Sequence, residues 1–363
     1  DEERSMTMQD TPDTARPSGR IESAAAWYGR DLQDRDDWIE TISAAEVEEL
    51  LAAVGHVDTA GISMLDMTRD DVPLPMLGPR LEGLADELDQ GRGFWLLRGF
   101  PLDEVDERTA AFAFWILGLH LGTPVSQNAR GHLLGHVIDE GRDFKTDPGV
   151  RGYQTRLRLP YHTDSSDVVG LLCLRPAKSG GLSSVASTTT VFNEVLTRRP
   201  DLAHFWFETW HYDRRNEERP GEKPWFTTPL ANWNDGHLSI RYVRSFLDSA
   251  QRHDEVPRRS EEETEFLDLV DEIANEPGIA LNMDFRPGDV QFVCNYSTFH
   301  SRTSYEDFDE PENKRHLLRL WLTLDAGRPL PLDFGRGTQA GLSGRGGIAP
   351  VPAEQEPLAG TYV

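Results

Sequence analysis

Leu159-Pro160-Tyr161-His162-Thr163-Asp164-Ser165-Ser166-Asp167-Val168-Val169-Gly170-Leu171-Leu172-Cys173-Leu174-Arg175 is the stretch on whose reading the fold turns. Pro160 favours extended backbone on either side of it. In an extended segment residues i and i+2 point to one face, so the His162 imidazole and the Asp164 carboxylate can converge on one ion. The apolar run 168–175 that follows has the length of a buried strand. A chelating pair beside such a dry wall is a reasonable metal site.

Working outward, short apolar runs recur at 133–138, 182–188, 206–212, 238–243, 279–284, 290–295 and 317–324, separated by Gly, Pro and Asp clusters. One helical segment, about 261–275, interrupts them. Arg286-Pro287-Gly288-Asp289 reads as a tight turn, with proline fixing one central φ and glycine supplying the positive one. Upstream, Ser43 and Glu46 form a capping-box pattern that opens a helix to about Ala53. Further helices are expected over 77–88 and 106–122, with a buried strand at 94–100 between them. The expected class is mostly β with flanking helices (α+β), a sandwich or barrel buttressed by helices. Residues 1–20 read as a disordered polar tail, 21–335 as a single domain with an insert at about 190–280, and 336–363 as a Gly/Pro-rich tail.

The net charge of −25, from 62 acidic and 37 basic residues, argues against nucleic acid and anionic membranes as partners. No run is long and apolar enough to span a bilayer, and none resembles a signal peptide, so a cytoplasmic location is the expectation. The two cysteines, Cys173 and Cys294, lie in apolar runs and read as buried thiols.

His-x-Asp/Glu occurs at His56/Asp58, His162/Asp164, His211/Asp213 and His253/Glu255. The first follows an expected helix end and the last lies in a charged loop. His211/Asp213 ends an aromatic strand and is the serious rival; His162/Asp164 is preferred for the apolar strand beside it. His300 follows the run Gln291–Asn295. Two imidazoles and one carboxylate can occupy one face of an octahedral ferrous ion and leave three positions open, as in non-haem iron oxygenases. Arg315 and Arg319 would share a strand face with Leu317 and Trp321. Arginine in an apolar run calls for an anion, whether a ligand or a structural carboxylate.

With these residues in place, the chain resembles the taurine dioxygenase/clavaminate synthase-like group of Fe(II)- and 2-oxoglutarate-dependent oxygenases over about residues 75–335. The resemblance rests on His162-x-Asp164, Gly180-Gly181-x-Ser183, the Pro287-Gly288-Asp289 turn, Asn295 through His300 with Arg302, and the run Arg315–Leu322. It implies a double-stranded β-helix (jelly roll) core and, as iron ligands, His162, Asp164 and His300. It also implies Arg315 and Ser183 on the distal carboxylate of 2-oxoglutarate, and Arg319 and Gln127 toward the substrate. Fe(II), 2-oxoglutarate and O2 would be required, and the outcome would be hydroxylation of a small, carboxylated organic molecule, with succinate and CO2 released. Trp206, Trp210, Tyr212, Arg214, Arg215, Arg241, Tyr242 and Arg244 would shape the substrate pocket or fill the core. A co-substrate-free cupin-like iron oxygenase and a non-catalytic binding sandwich are the competing readings; oligomeric state is left open.

Overall fold

The structure, a computed structural model, describes residues 16–17, 19–142, 150–331, 334, 338–339, 342–343 and 345–351. Most of the two tails read from the sequence therefore lies outside the described residues.

A mixed α/β fold is built on two sheets. The larger runs, in spatial order, Ile39–Thr41, Phe94–Arg98, Val290–Cys294, Val168–Arg175, His316–Leu324 and Gly122–Pro124, with Leu134–Val137 also paired to His316–Leu324. Ile39–Thr41 joins in parallel and every other pairing in this sheet is antiparallel. The smaller sheet runs Ala280–Met283, Ser183–Ser187, Thr298–Arg302 and Leu159–His162, all antiparallel.

Period-two alternation divides the large sheet between two cores. Leu172, Leu174, Phe292, Leu318, Leu320 and Leu322 face a layer of helices, Ala44–Ala60, Leu77–Gln90 and Glu107–Leu121. Val169, Cys173, Val293, Leu317 and Trp321 face the smaller sheet, where they meet Val185, Leu281 and Met283. The outer side of the smaller sheet is covered by Thr188–Arg198 and Glu261–Asn275 through a third, aromatic-rich core. The space between the sheets thus has strand side chains on both walls.

Local chemistry sets several boundaries as the sequence suggests. Ser43 Oγ accepts from Glu46 N while Glu46 Oε2 accepts from Ser43 N, closing the capping box. Gly288, at φ +85°, completes the 286–289 turn, and a Cβ there would lie 2.3 Å from the Phe100 carbonyl oxygen. Both cysteines are buried free thiols. Among the described residues no helix is long and apolar enough to cross a membrane.

Other boundaries differ. The helix opened by Ser43 continues to Ala60, so His56 and Asp58 lie inside it, with Asp58 paired to Arg108 at 2.7 Å. Downstream of residue 125 the expected single helix is joined by Thr188–Arg198 and Arg244–Ala250. Thr188-Thr189-Thr190-Val191-Phe192 has the β-branched character of a strand. Ser187 overrides it by accepting the Thr190 N–H at 2.9 Å, the hydrogen bond of a helix N-cap. The strand expected at 206–212 begins at Thr209, because 203–207 forms a 3-10 turn.

Candidate active site

His162 and His300 are directly opposed in the register of the smaller sheet. Their ring centroids are 4.2 Å apart. Asp164 lies two residues beyond the strand end, and its oxygens stand 3.9 Å from His162 Nε2 and 3.5 Å from His300 Nε2. One donor atom from each of the three lies within 4.8 Å of the others. This is the one such group of His, Cys, Asp and Glu among the described residues.

The surroundings orient two of the three donors, His162 and Asp164, for a cation. His162 Nδ1 lies 2.8 Å from the Pro160 carbonyl, which can only accept, so the proton sits on Nδ1 and the Nε2 lone pair is free. Burial, and then the neighbouring His300 ring, push His162 down to about 4, keeping it neutral near pH 7 as a metal ligand must be. Burial alone would raise the Asp164 carboxyl, but His300, Arg319 and His162 hold it far below the usual carboxylate range. Asn295 Oδ1 accepts the Asp164 backbone N–H at 2.9 Å, and Trp321 Nε1 donates to Asp164 Oδ2 at 2.9 Å. Thr163 is pinned by two bonds to the Tyr242 backbone, at 2.9 and 3.0 Å. Two imidazoles and an ionised carboxylate, with His162 and Asp164 fixed from behind, fit a divalent metal of the Fe(II) type.

Outer contacts of this kind typically contribute about 10- to 100-fold to metal affinity. Trp321→Phe keeps an aromatic ring and removes the donor, so Fe(II) affinity is expected to fall by about that factor. Equilibrium dialysis against the metal measures it; unchanged affinity would make the Trp321 bond incidental.

The three donors stand between two lobes. The inner lobe reaches between the sheets past Val169, Leu171 and Leu317 to Ser183, Gln291, Arg302 and Arg315. The outer lobe is bounded by Arg151, Thr163, Ser165, Val243, Phe246 and Trp321. Tyr153, Leu159, His162, Asp164 and Arg319 border both.

Arg315 is 4% exposed, and burial depresses its pKa. Its Nη1 has no hydrogen-bond partner. Ser183 lies in the same lobe with its hydroxyl 3.3 Å from Gln291 Oε1. Arg319 borders both lobes. Its Nε donates to Gln127 Oε1 at 2.7 Å and its guanidinium carbon lies 4.4 Å from the Tyr153 ring centroid. Gln127 itself does not line the cavity, contrary to the sequence expectation. Its Nε2 is bonded to the carbonyls of Leu133 and Arg319, both at 2.9 Å, so the amide is consumed in holding Arg319.

The rival motif is not a metal site. Asp213 is buried against Arg252 at 2.8 Å and His253 at 3.4 Å, while His211 packs edge-on against Trp225. Trp206, Trp210, Tyr212 and Tyr242 fill the third core rather than the pocket. Of the arginines expected near the substrate, Arg244 borders the outer lobe, paired with Asp248, Asp268 and Asp271. Asn295, Trp321, Tyr153 and Gln291 were not singled out as site residues from the sequence. Trp321 has a usable signal in its place on the strand face of Arg315 and Arg319, and Asn295 in opening the motif that runs to His300.

The family model described as Taurine catabolism dioxygenase TauD, TfdA family matches residues 62–321. The chain is 34% identical over 316 residues to FR-33289 synthase of Streptomyces rubellomurinus, covering 86% of this chain and 92% of that one. It is 29% identical over 312 residues to the taurine hydroxylase-like protein SAT17 of Stachybotrys chartarum, covering 84% and 80%. Among solved structures, asparagine oxygenase in complex with Fe(II), 2S,3S-3-hydroxyasparagine and succinate superposes with a TM-score of 0.61 at 17% identity, covering 79% of this chain and 93% of that one. The non-heme iron oxygenase OrfP in complex with Fe and alpha-ketoglutaric acid gives 0.59 at 16% identity, covering 79% and 94%. At these identities the structural likeness is one of fold.

Proposed function

The chain belongs to the taurine catabolism dioxygenase TauD, TfdA family of Fe(II)- and 2-oxoglutarate-dependent oxygenases, and on that premise we propose that it hydroxylates an unactivated C–H of a small, carboxylated, amino-acid-derived or natural-product substrate. The observation that carries this reading is a three-donor metal site set between two lobes, one of which ends on buried arginine. The two facing sheets are the halves of a double-stranded β-helix in this reading.

His162, Asp164 and His300 would hold the metal beside the lobes. With 2-oxoglutarate and O2, iron supplies the oxidising chemistry that replaces C–H by C–OH and leaves succinate and CO2. Arg315 clamps the distal carboxylate of 2-oxoglutarate in the inner lobe, with Ser183 beside it; the paired, charge-assisted geometry suits guanidinium better than ammonium. The apolar walls Val169, Leu171 and Leu317 keep bulk water from that lobe. Arg319, held at Nε by Gln127, borders both lobes, where it can orient a substrate anion. The similar solved structures that hold 2S,3S-3-hydroxyasparagine in one case and (3S)-hydroxy-L-Arg in another support an amino-acid-like substrate.

Oxygen uptake dependent on 2-oxoglutarate, screened across amino acids and their N-acyl derivatives, tests the substrate class. With a substrate in hand, Arg319→Ala is expected to raise its KM by about tenfold or more, the loss of one hydrogen-bonded charge. The affinity for 2-oxoglutarate should be nearly unchanged. Equal loss of both would reassign Arg319 to the co-substrate lobe.

A further inference from the structure

Arg302 ends the strand that carries His300, and its guanidinium is only half used. It is 5% exposed. Nη2 donates to the carbonyls of Thr155, at 2.7 Å, and Leu157. Nε and Nη1 are buried without an acceptor. The residue lines the same lobe as Arg315. Both guanidinium carbons approach the Tyr305 ring, at 4.8 Å for Arg302 and 5.1 Å for Arg315. The Tyr305 hydroxyl is also buried without a partner.

No carboxylate among the described residues forms an ion pair with either arginine. Asp307 accepts the Arg315 backbone N–H at 2.7 Å instead. Two neighbouring buried cations with unused donors are unfavourable in a protein interior, and an anion with several acceptor oxygens relieves both problems together.

We propose that Arg302 is a second co-substrate-binding residue, sharing the distal carboxylate of 2-oxoglutarate with Arg315. The inference rests on the reading that the inner lobe receives 2-oxoglutarate. It adds a physical link: the Thr155 and Leu157 carbonyls held by Arg302 follow the Gly152–Gln154 turn, which places Tyr153 against both lobes. Filling the inner lobe therefore braces a wall of the outer one.

The test compares two 2-oxo acids by calorimetry on the full-length, Mn(II)-loaded protein. One is 2-oxoglutarate and the other is 2-oxopentanoate, which lacks the distal carboxylate. Arg302→Gln is expected to weaken 2-oxoglutarate by about tenfold or more and 2-oxopentanoate by no more than about twofold. Equal weakening of both acids would assign Arg302 a merely structural role, and no change in either would also overturn the proposal. Arg302→Lys, which keeps the charge but not the fork of donors, is expected to give a smaller loss of the same kind. It serves as the reading if the glutamine variant does not fold. Arg315→Gln separates the two levels. If it weakens 2-oxoglutarate and Arg302→Gln does not, only the present proposal fails; if neither does, the placement of 2-oxoglutarate in the inner lobe fails.

Discussion

Asp164→Ala is expected to abolish tight Fe(II) binding and, with it, all coupled consumption of 2-oxoglutarate and O2. Asp164 is the one anionic donor of the three, placed 3.5–3.9 Å from both imidazole Nε2 atoms. Without it, two imidazole rings face a divalent cation with Arg319 close by, and the like charge of the arginine acts against binding. The variant should remain folded. The Asp164 backbone N–H keeps its bond to Asn295, and the apolar cores on both faces of the large sheet do not include this side chain. Equilibrium dialysis with metal quantitation and an oxygen electrode measure the two effects. Wild-type affinity or turnover in the variant would remove Asp164 from the ligand set.

Arg315→Ala should leave iron binding intact and cripple the use of 2-oxoglutarate. Truncating one partner of a buried, hydrogen-bonded charge pair costs about 2–5 kcal/mol, or roughly 30-fold to several thousandfold in affinity. The loss is expected in the 2-oxoglutarate concentration needed for half-maximal turnover at saturating Fe(II). Arg315 is not one of the three candidate donors, so metal affinity provides the internal control. Unchanged 2-oxoglutarate dependence would contradict the clamp and favour a co-substrate-free iron enzyme.

The parts of the site that the sequence made legible are those where period two operates. His162 and Asp164, and the face shared by Arg315, Leu317, Arg319 and Trp321, follow from strand alternation once the segments are read as extended. The apolar stripes of Val168–Arg175 and His316–Leu324 likewise foretold strands buried on both sides. What was not legible depended on contacts distant in sequence. Gln127 reaches Arg319 across 192 residues, and Asn295 reaches Asp164 across 131. No local pattern encodes either bond. The helix at Thr188–Arg198 was hidden because its β-branched opening looks like strand, and a single serine cap decides it. The aromatics of the insert could not be sorted between pocket and core from composition, since either environment takes Trp and Tyr. Packing against Glu261–Asn275 put them in the core.

In the proposed function His162, Asp164 and His300 hold an iron to which 2-oxoglutarate binds directly. Anaerobic titration of the metal-free protein with Fe(II), and then with 2-oxoglutarate, tests it by visible absorption. The expected result is a weak charge-transfer band that needs both additions and is missing in His162→Ala. Tightly bound iron with no band on adding 2-oxoglutarate would contradict the claim.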